Sequence, residues 1–297
     1  MLKTFINALK IDDIRKKLGY TFLMLIVIRL GSQLPTPGVN PDFVKEFFAG
    51  ISAGGAFNFF NAFTGGSFEQ LSIFALSISP YITSSIIVQL LTIAIPKLEE
   101  MQKDGEEGRK KINQITRYVT VALAVIQATA MAVGFGNQGL LEGGKLTWSN
   151  GIIFVFTLTA GSAFLMWAGE RITEKGIGNG ISVILLVNIL STVPNDFLNL
   201  YTLFVQGNIE DKKYAMAALA AVVILLIILV VVVFVILLQG GQRKIAVQYS
   251  QKIQGRKSVG GQSSHIPLKV NTAGVIPVIF ASSLMQFPIL IATFLGK

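Results

Sequence analysis

The chain has 297 residues, 52% hydrophobic and 14% charged, with a mean hydropathy of +0.63 and a formal net charge of +9. That apolar content exceeds what a soluble core of this length requires and points to a polytopic membrane protein. Cysteine is absent, which excludes a disulfide framework and any cysteine-based metal site.

A membrane-crossing helix needs about 20 predominantly apolar residues, and seven runs of that size follow one another. Residues 1–17 form a basic, amphipathic N-terminal segment carrying Lys3, Lys10, Arg15, Lys16 and Lys17. The first run, Leu18 to Leu34, is not read as a secretory signal. It contains Arg29, is too long for an apolar signal core, and ends in "QLPTPG" without a small-residue cleavage pattern. Arg29 has two possible roles, a functional one lining an aqueous cavity and a structural one, snorkelling or bonding the backbone of a neighbouring helix. The second is preferred because charges within spans face the bundle interior.

Next comes "FNFFNAFTGGSFEQL", residues 57–71, which is aromatic-rich, broken by Gly65 and Gly66, and far too short to cross a bilayer. Its aromatic side chains favour burial, yet irregular backbone at membrane depth is tolerated only inside protein or beside water. A re-entrant helix and an external loop packed on the bundle both satisfy that demand. The segment opens onto the second run, Ser72 to Ile95, which contains Pro80.

The third run, Thr116 to Phe135, follows the basic stretch "GRKKINQITR", and the fourth, Gly151 to Trp167, is followed by Glu170, Arg171 and Lys175. "GIGNG", residues 176–180, has the wrong spacing for a phosphate loop and no preceding strand, so an Asn-Gly turn feeding a helix is expected. The fifth and sixth runs are Ile181 to Leu203 and Ala215 to Leu238. A long loop, 241–269, with six basic residues among glutamines and glycines, then leads to the seventh run, Thr272 to Phe294. A loop of that length lacking its own span is functional or disordered, and its charge suits docking of a soluble partner with an acidic face or nucleic acid.

Basic residues orient the spans, because Lys- and Arg-rich loops stay cytoplasmic. Alternate loops hold 19 of the 25 Lys and Arg; Lys45, Lys145, Lys212, Lys213 and Lys297 fall on the opposite side, and Arg29 lies within a span. The N-terminus is therefore expected in the cytoplasm and the C-terminus outside. No Asp, Glu, Lys or His is read well inside a span, and the single histidine, His265, falls in a cytoplasmic loop. No hydrolase triad, metal cluster or proton relay can be assembled, so no catalytic residue, metal or cofactor is expected.

Several longer stretches carry a family resemblance. "LPTPGVN" (34–40), "GGSFEQLSIFALSISPYITSSIIVQLL" (65–91), "GERITEKGIGNGIS" (169–182), "QYSQKIQGRKSVGGQSSHIPLKVN" (248–271) and "NTAGVIPVIFASS" (271–283) resemble the SecY subunit family of the bacterial protein-conducting channel. The similarity runs in order from about Phe22 to Phe294. One departure is Ala246, where the family usually shows proline. Another is span number: the family has ten and seven are read here, so a complete pore is not expected from these residues alone, and either the remaining C-terminal spans of SecY are a separate piece or the chain is split or truncated.

The resemblance implies an all-α, SecY-type helical bundle in the plasma membrane, with a re-entrant plug and an incomplete inverted repeat. Residues 18–210 would form the first half, with spans one to five and the plug at about 57–71, and residues 211–297 the start of the second. It implies a non-enzymatic channel subunit that passes unfolded secretory polypeptides and releases apolar segments sideways into lipid. Expected partners are SecE, SecG, the SecA motor ATPase, the ribosome, a secretory polypeptide or signal sequence, and membrane lipids.

By motif alignment the apolar pore ring maps to Ile78, Ile82, Leu185, Ile189 and Ile279. Ile78 and Ile82, like Leu185 and Ile189, lie four apart and share a helix face, and such side chains at a constriction exclude water and ions. On periodicity alone, packing or lipid-facing roles for these residues come first. The plug maps to Phe57, Phe59, Phe60, Asn61, Phe63, Gly65 and Gly66. The lateral gate maps to Pro80, Gln127, Asn271 and Pro277, with the prolines expected to weaken or kink their helices. Arg243, Lys244, Arg256 and Lys257 would contact the motor or ribosome. Two other classes stay in view, a small-molecule transporter or passive carrier and a membrane scaffold without a pore.

Overall fold

The computed structural model describes residues 11–40, 43–44, 61–137, 147–206, 214–247, 252–254, 257–259, 264–272, 274 and 281. They divide into two compact units, the first holding the residues up to Asn195 and the second spanning Asp196–Ile279. In chain order the helices are α1 (Asp12–Gly31), α2 (Ser79–Ala94), α3 (Pro96–Lys103), α4 (Glu106–Asn137), α5 (Trp148–Lys175), α6 (Gly180–Tyr201) and α7 (Tyr214–Gly240). Strands β1 (Gln242–Val247), β2 (Lys252–Gln254), β3 (Lys257–Val259) and β4 (Ser264–Lys269) follow.

Among the described residues, four helices are long and apolar enough to cross a membrane, or five if the bent pair α2 and α3 counts as one span. These correspond to the second through sixth predicted spans. Helix α1 covers the first, although Arg15, Lys16, Lys17 and Arg29 make its 20 residues the most charged of the set. The seventh lies almost wholly outside the described residues.

The run expected to begin as helix at Ser72 does not. Residues 65–78 form consecutive turns, with helix starting only at Ser79, and Pro80 occupies the first turn of α2. Proline suits that position because its fixed φ and missing N–H cost nothing there, so Pro80 starts a helix instead of kinking one. Ahead of it, Leu71 (φ 42°) and Ser77 (φ 50°) adopt left-handed backbone, each at a cost of roughly 1–2 kcal/mol. Local bonds satisfy the turns: the N–H groups of Leu71, Ser72, Ala75 and Ser77 reach the carbonyls of Phe68, Ser67, Ser72 and Phe74 at 2.8–3.0 Å.

The "LPTPG" motif pins this segment from the other side. Pro35 and Pro37 end α1 and leave the chain extended, and Pro35 bridges Ser72 in antiparallel fashion. The N–H and hydroxyl of Thr36 both donate to the Leu71 carbonyl, at 3.0 and 2.7 Å, and the Ile73 N–H donates to Leu34. Most apolar side chains of the segment are buried, with Leu71 and Ala75 at 0% exposure, while Glu69 and Gln70 stay exposed.

The far end of α2 breaks at Ile95, which is extended (φ −112°, ψ 112°) because Pro96 follows. Helix α3 then leaves at 103°. Helices α4 and α5 return antiparallel against the segment, and small residues permit the close approach. A Cβ on Gly161 would strike the Ile73 carbonyl, and one on Gly180 would strike the Gly169 carbonyl between α5 and α6. Polar links are few: Ser84 Oγ donates to the Thr116 carbonyl at 2.7 Å, joining α2 to α4. Arg117 and Glu170 form a two-point ion pair at 2.8 Å between α4 and α5. Because both partners are partly solvent-exposed, Arg117→Gln should lower stability by no more than about 1 kcal/mol, read as the thermal midpoint in detergent.

The second unit contains α7, uniformly apolar and largely exposed along its length, as a lipid-facing span requires. The loop beyond it is ordered into two antiparallel ribbons, β1 with β4 and β2 with β3. The helical membrane architecture thus holds, with these ribbons added where composition offered only a docking loop.

Candidate functional site

Two apolar clusters fill the first unit. One surrounds Phe68, Leu71 and Leu76 with residues of α4 and α5. The other gathers Ile28 of α1, Phe74, Ile78, Leu165 and Ile172 of α5, and Ile184 of α6. Ile82 and Leu185 pack on this second cluster, half-buried. Three of the five predicted ring residues therefore meet in one place. Ile78 is 1% exposed and Ile189, one turn beyond Leu185, is 39% exposed. Ile279 lies outside the described residues.

Buried polar contacts lie beside these residues. Asn188, 3% exposed, donates from Nδ2 to the Ser77 hydroxyl at 3.2 Å, joining the residues that precede Ile189 and Ile78. Arg29 Nη1 donates to the Gly65 carbonyl at 3.0 Å and to Ser32 Oγ at 3.3 Å. The bond observed is to backbone, but to the turn at Gly65 and not to a neighbouring helix as expected. The sequence reading missed Ser77 and Asn188, and for Asn188 the signal was present: it is an amide set among the apolar residues 183–190 near the middle of a span, where polar residues are expensive and seldom idle.

Of the predicted plug residues, Phe57, Phe59 and Phe60 lie outside the described residues. Residues 61–64 form a helical turn that contains Asn61 and Phe63. Asn61 ties the turn together, exchanging bonds with Glu69 (Nδ2 to Oε2 2.8 Å, Glu69 N–H to Oδ1 3.2 Å) and accepting the Gly66 N–H at its carbonyl. Gly65 (φ 69°) and Gly66 (φ 83°) take left-handed conformations that a side chain would strain.

Among the gate candidates, Gln127 on α4 is 2% exposed, and its Oε1 has no hydrogen-bond partner among the described residues. Asn271 is exposed and accepts the Gly274 N–H at 3.0 Å, capping a turn. Pro277 lies outside the described residues. In the loop, Arg243 and Lys244 sit on β1 opposite Leu268 and Pro267 of β4, and Lys257 opens β3 opposite Gln254. Arg256 lies outside the described residues.

"GIGNG" behaves as expected of a turn. Asn179 Oδ1 accepts the N–H groups of Ile181 and Ser182 at 3.1 and 3.4 Å and so caps α6, while the Gly180 N–H donates to Thr173. One sequence reading needs amending: Asp196 lies inside α6, two residues past Pro194, and is exposed.

Comparison with known proteins decides what this arrangement belongs to. A SecY family model matches residues 72–297. The SecY protein translocase subunit of Halalkalibacterium halodurans is 46% identical over all of this chain and 68% of its own length. That of Bacillus subtilis is 45% identical over 100% and 68%, and that of Pseudomonas aeruginosa 43% over 97% and 63%.

The chain belongs to the SecY family.

It is thus a multi-pass membrane protein of a channel family and not an enzyme, and it spans about two thirds of the length of these SecY relatives. The fold agrees. A structure described as a protein-conducting channel aligns with TM-score 0.62 at 19% identity over 94% of this chain and 58% of its own. One in which the SecY plug domain is said to stabilise the closed state aligns with TM-score 0.63, also at 19% identity and the same coverage.

Proposed function

We propose that this chain forms the SecY part of a bacterial translocase, with the N-terminus cytoplasmic, passing unfolded secretory polypeptides through a waist lined by Ile78, Ile82, Leu185, Ile189 and Ile279. The carrying observation is that Ile78, which ends the turn segment 65–78, Ile82 of α2 and Leu185 of α6 converge on one apolar cluster. Residues 57–71 act as the plug, and apolar segments leave sideways past Pro80, Gln127, Asn271 and Pro277. SecE, SecG and the remaining SecY spans complete the assembly. A photo-crosslinker at Ile82, in the assembled translocase, should capture a stalled secretory polypeptide. Capture of none, with solute uptake instead, would favour a small-molecule carrier.

The energy source is external, from SecA or the ribosome docking on the loop after α7. Two observations support that reading. The described residues of the loop pair into ribbons, and β1 alternates Gln242, Lys244 and Ala246 on one face with Arg243, Ile245 and Val247 on the other. Exchanging Arg256 and Lys257 for glutamate should cut motor-driven export about tenfold or more by placing repulsion at a docking surface. Export at the parent rate in proteoliposomes would remove the assignment.

A further inference from the structure

The Gly65 turn is held from three sides within the first unit. Its carbonyl accepts the Arg29 guanidinium at 3.0 Å and, more distantly, the Ser191 hydroxyl at 3.5 Å. A Cβ at Gly65 would lie 3.0 Å from Arg29 Nη1 and from both Cα and O of Asn188, so the turn rests directly on the α6 backbone. Asn188 is bound in turn to Ser77 Oγ at 3.2 Å, and its carbonyl accepts the Ser191 hydroxyl at 2.6 Å. Ser77 holds a left-handed φ of 50° that only its surroundings can maintain.

One polar network therefore joins α1, the turn at residue 65, the approach to α2 and the middle of α6. We propose that Arg29, Ser77, Asn188 and Ser191 form a latch that holds the Gly65 turn against the waist helices and keeps the resting channel shut. The inference rests on the plug reading of residues 57–71, and it adds which contacts hold that plug and how they let go.

The chemistry suits a device that must release. Among the described residues, the hydrogen bonds of Arg29 go to neutral oxygens, Gly65 O and Ser32 Oγ. A bond from a cation to one carbonyl is stronger than a neutral bond yet weaker than a buried ion pair, whose separation strands two charges. When a polypeptide displaces the plug, the Gly65 carbonyl departs and water entering the passage takes its place on Arg29. Asn188 and Ser77 set the separation of the segments bearing Ile189 and Ile78, so the same network sets the waist.

The test compares resting ion conductance per channel in proteoliposomes holding the complete translocase assembled around this chain. Variants are Arg29→Gln, Ser77→Ala, Asn188→Ala, the Ser77→Ala/Asn188→Ala double, and deletion of residues 57–66. Arg29→Gln should raise the open fraction roughly tenfold or more, the ratio expected for losing a charge-assisted bond. It should also admit a precursor with a defective signal sequence, a gain that mere destabilisation does not give. The two alanine variants should each leak a few-fold, and the double no more than the larger single.

An assembled Arg29→Gln channel as tightly closed as the parent overturns the latch, as do additive alanine effects. If Arg29→Gln fails to assemble, the alanine variants decide alone, and closure at the parent level overturns it. A sealed deletion sinks the plug reading itself, whereas a leaking deletion beside a sealed Arg29→Gln sinks only the latch.

Discussion

Removing residues 57–66 should turn a channel that holds an ion gradient at rest into one that dissipates it. If the closed state dominates and the open state is a minor population of about 0.1–10%, losing the closing element raises resting conductance by roughly 10- to 1,000-fold. The structure narrows the deletion. Cutting all of 57–71 would also remove Phe68 and Leu71, which are 6% and 0% exposed, together with the carbonyl that Thr36 binds twice. That larger cut should lower the amount of folded channel as well as open it, so the shorter deletion isolates sealing from stability. Conductance of planar bilayers carrying the two deletions, normalised to assembled channel, separates the effects. Equal conductance for parent and 57–66 deletion would end the case for a plug.

The second large effect falls on Gly161 and Gly180. Each lies where a helix meets a carbonyl of another segment, Ile73 for Gly161 and Gly169 for Gly180, and neither carbonyl can rotate away as a side chain could. Gly161→Val and Gly180→Val should each cost about 3 kcal/mol or more, at or beyond the usual range for overpacking, because backbone must move. Gly19→Ala is the control: nothing lies within 4 Å of a Cβ there, and α1 is helical around it. It should be neutral or add up to about 1 kcal/mol. Thermal midpoints in detergent test the series, and a Gly161→Val protein melting with the parent would refute the close contact with residue 73.

Helix boundaries show where sequence reasoning reached and where it stopped. Five of the predicted spans were set by apolar runs of membrane length, and α4, α5, α6 and α7 each contain or nearly match the expected limits. The stop at Ile95 was legible because Pro96 follows. The start of α2 was not, although Pro80 marked it. Residues 72–79, "SIFALSIS", carry ordinary helix-compatible residues, and nothing local forces Leu71 and Ser77 into left-handed backbone. The bridge to Pro35, the bonds to Thr36 and the contact with Gly161 hold that path, and all three come from distant parts of the chain.

The site divides the same way. Spacing alone put Ile78 with Ile82 and Leu185 with Ile189 on shared faces, but could not separate a waist from ordinary packing, because an apolar residue reads the same in either role. Longer motif similarity made that distinction. Arg29 stood out as a charge at membrane depth, yet its partner, the Gly65 carbonyl, is a backbone atom, and backbone acceptors leave no trace in residue identity. Asn188 and Ser77 are 111 positions apart and meet only after α6 folds against the turn before α2.

By itself the sequence determined the medium and where the long apolar spans fall, since the length and apolarity of a span are local properties that bilayer thickness reads directly. Only the tertiary structure decided which stretch of an apolar run would be helix, which carbonyl Arg29 would hold, and which glycines must stay glycines. Those outcomes depend on what lies across the contact, and membrane-buried backbone must find its hydrogen bonds there because lipid offers none.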